Sequence, residues 1–145
     1  MISKSEKTVL EEICKKSRAA LLDIHTVISK VYDDELALDL NKQAARYSRL
    51  QEKAEDNLLE TGVMPAPISI MDRTKRWASL QAMTALNVST KHVADMMVKE
   101  NNERLEGINK VVKENDVISA MTYELAEEFM DFEQENIRIL KSYLS

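Results

Sequence analysis

The sequence predicts an all-α fold: a single four-helix-bundle domain over residues 1–145. Three observations carry this. Gly and Pro number only 2 each in 145 residues, too few for the many turns an all-β chain needs. Hydrophobic residues reach 44% while charged residues are 31% and well mixed, which excludes a disordered chain. Apolar residues recur at spacings of three and four over long stretches, the period of one buried helix face. A chain of this length buries roughly 68% of its unfolded surface and needs no disulfide or metal staple.

The first helix is expected from about Lys4 to Val31. Ser3 and Glu6 fit a capping box, in which the hydroxyl takes a free backbone N–H and the carboxylate reaches back. Its stripe is Leu10, Ile13, Cys14, Ser17, Ala20, Leu21, Ile24, Val27, Ile28 and Val31. Tyr32-Asp33-Asp34 is a turn short enough to force an antiparallel neighbour, and its aspartates can cap that neighbour. The second helix runs from about Glu35 to Thr61, with Leu36, Leu40, Ala44, Tyr47, Leu50, Ala54 and Leu58 on one face. Gly62 stands at a C-cap glycine position. The stretch Gly62 to Ile68 holds both prolines, Pro65 and Pro67, and is apolar enough to lie against the bundle.

A third helical segment begins at Ser69–Asp72 and meets no helix breaker before Gly107, ending near Asn115. Its stripe is Met83, Asn87, Thr90, Ala94, Met97, Asn101, Leu105, Ile108 and Val112. Asp116 can cap a fourth helix from Val117 to Leu144, striped by Ile118, Met121, Leu125, Phe129, Phe132, Asn136, Ile139 and Tyr143. Helices one, two and four are each about 28 residues, or roughly 42 Å, but the third segment is about 45 residues, or roughly 67 Å. Some sixteen residues, about Ile70 to Ala85, either overhang or bend off into a long crossover. The crossover would give ferritin-like connectivity rather than up-down-up-down.

The segment Ser89-Thr90-Lys91-His92-Val93-Ala94-Asp95-Met96-Met97-Val98-Lys99-Glu100-Asn101-Asn102 resembles part of an uncharacterised family of small proteins from anaerobic Firmicutes, whose pattern reads S-S-S-H-I-A-E-M-x-I-x-G-x-T. The stretch Glu133 to Leu144 is similar to that family's C-terminus, as are Gln43, Tyr47, Ala54 and Leu58 before Gly62. Glu100 departs from the pattern, standing where the family tends to have glycine. The resemblance implies a ferritin-like four-helix bundle and assigns no activity.

Charge and composition narrow the function classes. A net charge of −5 disfavours nucleic acid, which needs clustered Lys and Arg. The longest uncharged run, Trp77 to Thr90, falls short of the about 20 residues of a membrane span. One unpaired cysteine, Cys14, and a charged Met1–Lys7 stretch in place of a signal peptide's apolar core point to the cytoplasm.

The residues point away from enzyme chemistry. A di-metal centre needs Glu from two helices and Glu-x-x-His from two others. Leu22 and Ser89 precede His25 and His92 by three, so neither histidine completes that motif. Only Glu128 and Asp131 keep carboxylates at ligand spacing, and they are the metal candidates if the chain is a ferritin-like metal-binding or stress-related protein. No catalytic or cofactor-binding residue is expected: Cys14 reads as a buried thiol, and His25 and His92 as structural. Glu124, Glu127, Glu128, Asp131, Glu133 and Glu135 read as a solvated acidic face, and Arg73, Lys75 and Arg76 as a basic cluster for another chain's acidic helix.

Two groupings exceed that reading. Ser17, Tyr47, Asn87, Thr90, Asn101 and Asn136 fall on inward stripes, where they set register or line a small cavity. Trp77, Ala78, Gln81, Ala82, Ala85 and Val88 lie in the uncharged run, on a helix that one bundle cannot cover on all sides. They predict a homodimer interface, and with it a non-enzymatic protein that works through self-assembly or contact with a protein partner.

Overall fold

The computed structural model describes residues 2–65, 70–84 and 89–145. Among these residues every regular element is helical: α1 (Lys4–Val27), α2 (Asp34–Glu60), α3 (Ile70–Thr84), α4 (Thr90–Glu114) and α5 (Ala120–Lys141). A short 3-10 turn, Ile28–Lys30, tightens the end of α1, so that helix stops about one turn before its apolar pattern does.

Helix ends follow local capping chemistry. The hydroxyl of Ser3 accepts from the Glu6 N–H, Asp33 from Leu36, Ser89 from His92, and Ser119 from Thr122. The fourth predicted helix therefore starts at Ala120 rather than Val117, with Ser119 and not Asp116 as its cap. At the end of α2, Gly62 takes φ 82°, and its N–H and that of Val63 donate to the carbonyls of Leu59 and Leu58. This paired closure requires the left-handed conformation that glycine adopts without a Cβ penalty.

The predicted long third segment is two helices. Helix α3 ends at Thr84 and α4 begins after its own cap at Ser89. The His92 ring nitrogen lies 2.7 Å from the Met83 carbonyl and ties the two together. Of the linker expected to lie on the bundle, Val63 packs against the core, while Met64 is exposed. Ala66 to Ser69 fall outside the described residues, as does the expected Ser69 start signal.

Helices α1 and α2 form one antiparallel pair and α4 and α5 another; α1 also packs on α4, and α2 on α5. Helix α3 lies mainly on α1, through buried Leu80 and Thr84. The core runs through Leu10, Ile13, Leu40, Leu50, Met97 and Phe129. Predicted stripe members Met83 and Met121 are instead exposed, because each lies within about a turn of its helix's end, where the facing helix no longer covers it.

Glu6 does not complete the expected capping box. Its carboxylate accepts instead from the Ser119 N–H at 2.7 Å, the Ser119 hydroxyl at 2.6 Å and the Thr122 hydroxyl, clamping the start of α5 to the start of α1. Burial raises the Glu6 pKa, but these bonds outweigh it and hold the carboxyl below its ordinary 4.5. A depressed folded pKa adds stability above 4.5 and loses it as the pH falls below. Glu6→Gln is expected to cost about 1 kcal/mol at neutral pH. Urea titrations should show the deficit vanishing under acid conditions.

Candidate functional site

The most distinctive feature of the interior is a buried cluster of charged and amide groups joining all five helices. At its centre is Arg104 of α4, 3% exposed. The guanidinium donates through Nε to Glu133 Oε1 on α5 at 3.2 Å and through Nη1 to Asp23 Oδ2 on α1 at 3.1 Å. Its Nη2 reaches Asn101 Oδ1, one turn back on α4, and the Tyr47 hydroxyl on α2 at 3.4 Å. The Tyr47 hydroxyl donates to Glu133 Oε1 at 2.5 Å and accepts from Asn136 Nδ2 at 3.1 Å. The Tyr47 ring also stacks edge-on against Phe132 at 4.7 Å and lies under the Arg104 guanidinium at 5.4 Å.

Asp23 extends the cluster to α3. Arg76 of α3 donates to both Asp23 oxygens, at 2.6 and 2.5 Å, and to Glu100 Oε2 at 2.9 Å. Two guanidinium groups thus face three carboxylates. Burial pushes the Glu133 carboxyl above the ordinary carboxylate range against the opposing pull of Arg104 and the Tyr47 hydroxyl. Burial, then the neighbouring Asp23 charge, raises Glu100. The Tyr47 phenol is also raised by burial, so it stays protonated and serves as a donor.

Beside this cluster a cleft of about 790 Å³ opens between α1, α3 and α4, lined in part by Cys14, Asp23, Lys75, Arg76, Glu100 and Glu103. Burial pushes the Cys14 thiol up to about 12, so it is protonated and a poor nucleophile.

The sequence-predicted polar residues divide. Tyr47, Asn101 and Asn136 meet in the cluster. Ser17 is buried, but its hydroxyl has no hydrogen-bond partner among the described residues. Thr90 is only half-buried, because it is the first residue of α4 beyond the Ser89 cap rather than part of a continuous inward stripe. Asn87 lies outside the described residues. Two charge assignments are corrected. Glu133 belongs to the interior rather than the solvated acidic face, and Arg76 pairs with its own chain's Asp23 and Glu100 instead of another chain. Glu128 sits on the outer side of α5 with Lys53 Nζ at 3.2 Å and Arg46 at 3.9 Å, and Asp131 beside it is exposed.

Sequence reasoning missed Asp23, Gln43, Arg104 and Glu133, all buried. A spacing signal existed for two of them. Arg104 lies three residues after Asn101 and four before Ile108; Glu133 lies four after Phe129 and three before Asn136. Both are on the inward face by position, and only their charge assigned them to solvent.

On the predicted interface, Trp77, Ala78 and Ala82 are exposed, while Gln81 is half-buried and accepts a hydrogen bond from Lys30. Ala85 and Val88 lie outside the described residues. Among the described residues no helix is long and apolar enough to cross a membrane, and no group of three or more His, Cys, Asp or Glu is placed to hold a metal ion.

Comparison with protein-family models, with characterised proteins and with solved structures returns no match for this chain. The class defined by fold and site is therefore an all-helical protein whose helices converge on a buried, arginine-centred ion network.

Proposed function

We propose that this chain is a non-enzymatic, intracellular, ferritin-like four-helix bundle that works by self-association through the outer face of α3. In this reading α1, α2, α4 and α5 are the bundle, and α3 rides on its one long crossover. The ends of the helices support that connectivity. Ser3 donates to the Val117 carbonyl, so α1 and α5 start together, and Tyr143 near the end of α5 bonds Asp39 near the start of α2 at 2.5 Å. Helices α2 and α4 then run in the same direction, and the chain between them must return along the bundle. The resemblance to the Firmicutes family belongs to the same reading.

The observation that carries the function is the exposed apolar surface of α3. Met71 is 71% exposed and Trp77 53%, with Ala78 and Ala82 also exposed. Met71, Ala78 and Ala82 are seven and four residues apart, on one line opposite the buried Leu80, with exposed Lys75 between Met71 and Ala78. Ala78 and Ala82, one turn apart, permit close approach of a second helix, with the flexible Lys75 and Met71 flanking them, and the occupant proposed is the same line on a second copy, crossing at a two-fold axis with Trp77 at the rim. Such a contact should bury at least about 1,000 Å² in total. Light scattering at tens of micromolar should give a dimer for the native chain and a folded monomer for an Ala78→Glu, Ala82→Glu double variant. A native monomer, or a variant that remains dimeric, overturns the assignment.

A further inference from the structure

The arginine-centred cluster has the layout of a carboxylate-bridged di-metal centre. Such a centre takes one inward side chain from each of two helices and an i, i+3 pair from each of two others. Here α1 contributes Asp23 and α2 contributes Tyr47. Helix α4 contributes the pair Asn101 and Arg104, and α5 the pair Glu133 and Asn136. The chemistry does not fit metal ions. Amides stand at one position of each pair, no histidine is present, and only Asp23 and Glu133 supply carboxylates around the guanidinium. Arg104 itself reaches the donor atoms that a metal would need: Glu133 Oε1, Asp23 Oδ2, Asn101 Oδ1 and the Tyr47 hydroxyl. Two further polar atoms in this ring, Glu133 Oε2 and Asn101 Nδ2, are buried with no hydrogen-bond partner among the described residues. Of these only Glu133 Oε2 is an acceptor, so the ring offers one acceptor more than the guanidinium uses.

We propose that this cluster is a cation site laid out as a di-metal centre, in which the Arg104 guanidinium permanently takes the place of the metal. The native chain is closed to divalent ions at this position. Truncating Arg104 exposes a cavity ringed by two carboxylates, a phenol and two amides, which binds added guanidinium. A guanidinium is planar and presents five donors in a fixed fork, so free guanidinium is the natural replacement.

The test compares thermal melting of the native chain, Arg104→Ala, and the double variant Arg104→Ala, Glu133→Gln, each with Co²⁺ or guanidinium at low millimolar concentration. Guanidinium is expected to raise the Arg104→Ala midpoint by about 5 °C or more, and Co²⁺, offered two carboxylates and no histidine, is not. The native chain should not shift, and Glu133→Gln should abolish the gain. If Arg104→Ala is unfolded alone, the readout is recovery of helical circular dichroism on adding guanidinium. Recovery that depends on Glu133 supports the assignment. The assignment is overturned if guanidinium neither stabilises nor refolds Arg104→Ala, if the gain survives Glu133→Gln, or if Co²⁺ stabilises Arg104→Ala or the native chain equally.

Discussion

Arg104→Met is expected to lower the free energy of unfolding by about 3–5 kcal/mol, the cost of removing one partner from a buried ion network. The methionine fills much of the volume, so the loss is electrostatic. Glu133 and Asp23, both 0% exposed, lose a shared counter-charge, and among the described residues Asp23 keeps only Arg76. Set against a typical total of about 5–15 kcal/mol, this leaves a marginal fold. The deficit has a defined pH dependence. Burial already raises the Glu133 carboxyl, and loss of Arg104 raises it further. A raised folded pKa favours folding below the unfolded value and loses that contribution as pH rises through the folded one. The variant's deficit should therefore be largest at neutral pH and shrink on acidification. Urea unfolding at several pH values measures it.

Phe129→Ala is expected to cost a similar about 3–5 kcal/mol, for a different reason. The ring is fully buried beside Tyr47, with centroids 6.2 Å apart, and its removal leaves a cavity that neighbouring helices cannot collapse to fill. No titrating group loses a partner, so this deficit should be flat across the pH range in which the Arg104→Met deficit shrinks. If the two profiles coincide, Arg104 stabilises the fold by packing and not by charge.

The all-α class, two long helices and most of the core positions follow from local rules. Leu36, Leu40, Leu50, Leu58, Leu125 and Phe129 are inward because apolar area at helical spacing has one place to go. Gly62 ends α2 because only a residue without a Cβ closes the helix there cheaply. Ser3 and Asp33 cap because their oxygens reach N–H groups two or three residues on. All of this is decided within a few turns of chain, so it is legible in sequence.

Pairing across helices is not. Glu6 satisfies the conditions for a local capping box, yet it bonds Ser119 and Thr122 because the start of α5 arrives beside it. Asp23, Arg104 and Glu133 look like solvent residues singly, since each alone would meet a large desolvation penalty in the core. That penalty is offset only by partners 81 and 29 positions away along the chain. The helical class, the caps at Ser3, Asp33 and Gly62 and the apolar faces were thus determined by the sequence itself, because their energies depend on neighbours three or four residues apart. The ion network and the packing of α3 on α1 were decided by tertiary structure. A buried charge is stable only where a distant helix delivers its counter-charge, and spacing along the chain does not encode which helix that is.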